Sequence, residues 1–201
     1  MALNNDHSGH GIDHVNRVVS LSNKILETEK SADPFLVIAT AYLHDTYDDK
    51  LFEDPISEKN KLEKFLTKIN VDFNPIFHII DNMSWSQTVN HSAKPLDING
   101  QIVQDADRLE ALGAVSIIRT FLYGESHGRI MYDPNIPPRI LNSKNDYRDS
   151  KNQTTINHFY EKIFKLKDYL NTDYAKKIGN ERDKFTHNFI QELIAEFNLE
   201  K

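Results

Sequence analysis

An all-α fold is what this sequence predicts, and three observations predict it. Nearly every ordered stretch spaces its apolar residues for a helix. No stretch alternates with period two for long enough to make a strand. Prolines and small polar caps stand where those helical stretches begin.

The elements follow in order. "DHVNRVVSLSNKILETEK" sets Val15, Val18, Leu21 (or Ser22) and Ile25 on one stripe with charges opposite. "DPFLVIATAYLHD" opens with Asp33 as cap and Pro34 at the first helical position. It is apolar nearly all round, which predicts a central, buried helix. "SEKNKLEKFLTKI" opens on Ser57 and shows one apolar face, Leu62, Phe65, Leu66 and Ile69. "NPIFHIIDNM" repeats the cap-then-proline start at Asn74 and Pro75. "IVQDADRLEALGAVSIIRTFLYG" reads as a long helix interrupted only by Gly113. "TTINHFYEKIFKLKDYLN" and "TDYAKKIGNERDKFTHNFIQELIAEF" read as two more, with Thr172 the cap between them.

Segment 124–152 breaks this regularity. It is long for a loop and rich in Gly, Pro and Asn, yet it carries Arg129, Tyr132, Arg139 and Ile140. Strong helices resume after it, so residues 1–201 are expected to form a single domain with a lid-like loop inserted at 124–152.

Composition removes whole classes of function. A formal charge of −6 argues against a nucleic-acid binder, which needs a basic face. There is no cysteine, so disulfides, thiolate metal sites and a cysteine nucleophile are excluded. No apolar run approaches the roughly 18 residues of a membrane span, and the start has no signal-like apolar stretch. The expectation is a cytoplasmic protein with neither membrane nor nucleic-acid partner.

The chemistry gathers in "AYLHDTYDDK", where His44, Asp45, Asp48 and Asp49 follow an apolar helix. Imidazole and carboxylate at the end of a buried element need compensation. A mixed nitrogen and oxygen set suits Mn²⁺, Fe²⁺, Ni²⁺, Zn²⁺ or, less well, Mg²⁺. Further donors are His14 with His10 four residues before it, and Asp105 and Asp107 inside an otherwise apolar helix. Those two aspartates point about 200° apart, so at most one can face an ion.

The order H…HD…D resembles the HD-domain superfamily of metal-dependent phosphohydrolases, all-α enzymes that act on nucleotides and phosphoesters. "GHGIDHVNRV", "LHDTYDDKLF", "IVQDADRLEALGAVSIIRTF", "YGESHGR" and "INHFYEKIFKLKDYLNT" together look like a bacterial branch of stand-alone nucleotide (pyro)phosphohydrolases. Related chains often carry an aspartate where this one has Gly11. The resemblance implies His14, His44, Asp45 and Asp107 as ligands of one divalent cation, Mn²⁺ favoured, with Mg²⁺, Ni²⁺, Fe²⁺, Co²⁺ and Zn²⁺ as alternatives. Asp107 is preferred to Asp105 because the family ligand commonly precedes a basic residue. "HDTYDD" is similar to the "HDTVED" of the guanosine tetraphosphate hydrolases, which implies Asp48 as the proton-transfer residue and Asp49 as its alternate or helper.

Phosphoryl chemistry needs cations around the phosphates. Arg17, Lys50, Arg108, Arg119 and Arg129 are the candidates for holding a small-molecule nucleotide, and Arg119 stands out within "SIIRTF". The implied reaction is cleavage of a nucleoside triphosphate to monophosphate and pyrophosphate. Hydrolysis of guanosine tetraphosphate or another phosphoester is the alternative, and a catalytically silent metal- and nucleotide-binding module is the alternative of another class. A homodimer stays open. His158 reads as core, Lys162 and Lys165 as candidates for a phosphate pocket, His78 and His91 as unsupported extra ligands, and Trp85 as packing or a base-stacking ring.

Overall fold

The computed structural model describes residues 11–49, 51–89, 91–140 and 153–200. The described residues are all-α, with no strand among them: α1 (Ile12–Leu26), α2 (Pro34–Leu43), α3 (Pro55–Lys68), α4 (Phe73–Met83), α5 (Trp85–Val89), α6 (Ile98–Glu110), α7 (Ala114–Ser126), α8 (Thr155–Glu161), a 3-10 helix (Ile163–Tyr169) and α9 (Asp173–Phe197). Lys50 and His10 lie outside the described residues, as do positions 141–152 of the expected lid.

The centre is α6, which packs against α1, α2, α4 and α9. Its Ile102, Val103, Ala106 and Leu109 are fully buried, and they meet Val18 and Ile25 of α1, Val37 and Ala41 of α2, and Ile190 of α9 in one core. The apolar α2, expected to be central, is not. Its Phe35 and Tyr42 are exposed and only Val37, Thr40 and Ala41 are buried, so it lies on the flank. A second, smaller core joins Leu62 and Leu66 of α3 to Ile76, Phe77 and Ile80 of α4, and leaves Phe65 and Ile69 in solvent.

Several boundaries differ from the sequence reading, each for a local reason. Asp54 rather than Ser57 caps α3, accepting from the Ser57 amide at 2.9 Å. Asp72 rather than Asn74 caps α4, accepting from the Asn74 amide at 3.0 Å. In both, an aspartate standing earlier reaches the free amides first. α5 was not anticipated. Gly113 ends the long stretch outright: at φ +89 it adopts a conformation that residues with a Cβ avoid, so α6 and α7 are separate helices. The stretch from Thr155 is also two pieces, because Lys162 leaves helical dihedrals (φ −133, ψ −60) and a 3-10 helix follows.

Asp105 and Asp107 part company as their spacing requires. Asp105 turns to the start of α9 and accepts from the Thr172 amide at 2.7 Å, the Thr172 hydroxyl at 2.9 Å and the Asn171 amide at 2.9 Å. Burial pushes its carboxyl above the usual range despite those bonds. Thr172 in turn caps α9, as the sequence indicated. Among the described residues no helix is long and apolar enough to cross a membrane.

Candidate metal centre and cleft

His14 rides on the buried stripe of α1 together with Val15, Val18, Leu21 and Ile25, so the same periodicity that packs the helix carries an imidazole inward. His44 continues the buried line of Val37 and Ala41 one turn on, as the C-terminal cap of α2. Asp107 comes from the last turns of α6. These three converge, with one donor atom from each within 4.8 Å of the others.

Asp45 stands beside them. Its carboxylate oxygens lie 3.4 Å from His44 Nε2 and 3.7 Å from His14 Nε2, while Asp107 Oδ1 is 3.5 Å from His14 Nε2. Asp107 sits at the open side, its side chain 38% exposed against 3% for both imidazoles.

The tautomers follow from what each Nδ1 meets. His44 Nδ1 lies 2.8 Å from the Ala41 carbonyl, which can only accept, so Nδ1 carries the proton. His14 Nδ1 lies 3.4 Å from Glu110 Oε2. Burial alone would raise the Glu110 carboxyl, but hydrogen bonds from His14 and Arg17 outweigh it and hold the group ionised, hence acceptor-only. Each imidazole therefore aims an Nε2 lone pair at the other across 3.4 Å. Two facing lone pairs beside two carboxylates repel unless something positive lies between them. Donors bound at about 2.1 Å to one ion stand roughly 3.0–3.4 Å apart in octahedral or tetrahedral arrangements. The donor set fits a divalent cation.

The field agrees. Burial works to lower the His44 pKa, yet Asp45 and Asp107 overcome it and the pKa lies above its ordinary value. Burial likewise works to raise the Asp107 carboxyl, and the two imidazoles bring it below the usual range.

Of these groups, His14, Asp45 and Asp107 line the floor of a cleft of about 270 Å³. Arg119, Thr120 and Tyr123 of α7 line it with Arg129, His158 and Lys162, forming a cationic wall. Met83, Trp85, Ile163 and Leu166 provide an apolar wall, on which Trp85 is set edge-on against Tyr169.

The sequence-predicted residues distribute unevenly around this cleft. Asp48 lines it, and Asp49 is exposed and does not. Arg119 and Arg129 line it, the latter's guanidinium above the Tyr123 ring at 5.2 Å. Arg108 lines it too, but bonds to the Tyr169 carbonyl and the Thr88 hydroxyl. Arg17 is not among the lining residues and is held by Glu110 at 2.8 Å and Asp13 at 2.8 Å. His158, read as core, is a cleft residue. His78 reaches the Pro95 carbonyl and takes no part. Of the expected lid, 124–126 are the last turn of α7. Arg139 anchors to Glu161 at 2.9 Å, and Tyr132 packs edge-on against Phe197. Glu110 was missed altogether, although a glutamate one turn beyond Asp107 in an apolar helix was the signal for it.

The pattern of the HD domain matches residues 11–112. YpgQ of Bacillus subtilis (strain 168) is 34% identical over 95% of this chain and 86% of its own length. Its crystal structure in complex with ADP superimposes with a TM-score of 0.73, covering 96% of this chain and 87% of that one. A crystal structure from Lactobacillus plantarum, 39% identical, superimposes with a TM-score of 0.88 over 98% of this chain and 93% of that one. An HD-superfamily hydrolase from Bacillus thuringiensis is 36% identical with a TM-score of 0.72, over 98% and 91%.

Proposed function

Since the chain belongs to the HD-domain family of metal-dependent phosphohydrolases, we propose that it cleaves nucleoside triphosphates to the monophosphate and pyrophosphate. The observation that carries this reading is the cleft itself, an imidazole and carboxylate floor that fits a cation, facing Arg119, Arg129 and Lys162. The ADP bound to YpgQ supports a nucleotide as the ligand class.

His14, His44, Asp45 and Asp107 would hold one divalent cation, Mn²⁺ by preference. When bound, such an ion neutralises phosphate charge and acidifies water. The chain's own residues do the rest. Arg119, Arg129 and Lys162 hold the phosphate oxygens, where fixed cations stabilise the charge that develops in phosphoryl transfer. Asp48, on the cleft wall, takes the proton of the attacking water at its carboxylate. The nucleoside then lies along Met83, Trp85 and Leu166, a wall without a row of cations among the described residues.

A nucleotide panel supplemented with Mn²⁺, with phosphate and pyrophosphate read separately, tests the proposal. Stoichiometric pyrophosphate and monophosphate are expected from triphosphates. Phosphate alone, or turnover confined to other phosphoesters, would overturn it.

A further inference from the structure

Glu110 is 3% exposed, lies one turn beyond Asp107 and belongs to neither the cation set nor the cleft lining. A single oxygen, Oε2, meets three partners from two other helices: His14 Nδ1 at 3.4 Å, Arg17 Nε at 2.8 Å and Arg119 Nη1 at 3.3 Å. His14 belongs to the floor of the cleft and Arg119 to its cationic wall. One buried carboxylate thus touches both halves of the site at once.

We infer that Glu110 is a positioning residue that fixes the tautomer of His14 and aims Arg119 into the cleft. Oε2 already accepts from two guanidinium groups, Arg17 and Arg119, and so meets His14 as an acceptor; the proton of His14 then sits on Nδ1 and the Nε2 lone pair faces Asp107 and His44. The same oxygen takes one Nη of Arg119. Arg119 lines the cleft, and its Nε is buried with no hydrogen-bond partner among the described residues, so the planar fork keeps a donor that Glu110 does not use. Arg17 closes the arrangement from behind, tied to Asp13 at 2.8 Å. A partner on the far nitrogen of a ligating imidazole sets its orientation and basicity. The role for metal and phosphate rests on the function proposed above, but the tautomer assignment does not.

Three measurements on the full-length protein test it. Long-range proton–nitrogen NMR of the metal-free protein is expected to show His14 in the Nδ1–H form, and a mixture of forms in Glu110→Gln, whose amide can turn either a donor or an acceptor to the ring. Mn²⁺ titration is expected to give a Kd about 10- to 100-fold weaker in Glu110→Gln than in wild type. Asp13→Ala, which removes the other partner of Arg17 without touching the ring, is expected to match wild type in both. Steady-state kinetics are expected to show a raised KM in Glu110→Gln as Arg119 loses its aim. Wild-type His14 in the Nε2–H form overturns the inference, and this readout stands even if Glu110→Gln fails to fold. Mn²⁺ affinity in a folded Glu110→Gln within about twofold of wild type overturns it as well. Wild-type protein that shows the Nδ1–H form yet hydrolyses no nucleotide leaves Glu110 as the keeper of the tautomer and overturns the functional proposal instead.

Discussion

His44 owes its place to two ordinary demands, the apolar line of α2 that ends on it and the Ala41 carbonyl that takes its Nδ1 proton. Nothing in that packing needs Nε2 to face His14 at 3.4 Å, and this is why the pair reads as a ligand set rather than as a cap. Replacing His44 and Asp45 by alanine should abolish bound metal and turnover together. Metal analysis of the purified variant checks this, and wild-type metal content with unchanged activity would refute it. Asp48 differs, because it lines the cleft without joining the three-atom cluster. Asp48→Asn should keep its metal yet lose about 10²-fold in kcat, the usual cost of removing a general acid or base. A wild-type kcat would move that role to another residue. At this scale the order of the converging donors was legible, since His14, His44 and Asp107 stand in the chain as H…HD…D. Glu110 is harder to read: its place in an otherwise apolar helix is a signal, but a glutamate on a helix is ordinarily a solvated charge.

The helices themselves were legible wherever one face was apolar, as in α1, and misread where composition overrode periodicity, as in α2. An apolar helix with no polar side gives no signal of which side will be covered, and Phe35 and Tyr42 remain in water. Where a turn depends on dihedrals rather than on patterning, as at Lys162, the sequence offers no period to read. Close approach between elements is equally silent. Gly124 of α7 is one such case: a Cβ built there would stand 2.2 Å from the Thr155 hydroxyl and 3.2 Å from its methyl. Thr155 is 2% exposed and has little room to move. Gly124→Ala would gain at most about 1 kcal/mol in helix propensity and lose about 1–3 kcal/mol to overpacking. With Thr155 unable to yield, the net loss is about 1–2 kcal/mol, and the expected outcome is a Tm lower by about 2–8 °C for a chain of this size. Adding Thr155→Ala, which removes the obstructing hydroxyl and methyl, should recover most of it. A Gly124→Ala protein as stable as wild type would show that α7 and α8 are not held at this distance.

For the molecule as a whole, three helices that share a core also share the candidate cation site: α1 through His14, the end of α2 through His44 and Asp45, and α6 through Asp107. Without metal, stability should fall in acid. Glu161 is held below the usual carboxyl range because hydrogen bonds from Arg139 and Gln153 outweigh its burial. Its contribution is present above the unfolded value near 4.5 and is lost as pH falls through the lower folded value. Asp105, whose pKa burial raises above the ordinary 3.8, works with the opposite sign, gaining stability as pH falls from that raised value toward 3.8. Denaturant titrations between pH 3 and 6 should therefore show a declining limb that flattens in Glu161→Gln, and an equally steep limb in that variant would exclude Glu161 as its source. Metal should act on the same equilibrium from the other side. An ion bound only by the folded chain adds RT ln(1 + [L]/Kd), about 2.7 kcal/mol at a hundredfold excess over Kd. At roughly 2–4 °C per kcal/mol for this length, that predicts a Tm higher by about 5–10 °C in saturating Mn²⁺. The rise should vanish in Asp107→Ala, which removes the donor at the open side of the site while leaving the core intact, and should persist in Asp105→Asn, whose carboxylate faces α9 instead. Thermal melts with and without Mn²⁺ decide the matter. An equal rise in wild type and Asp107→Ala would place the stabilising ion elsewhere on the molecule.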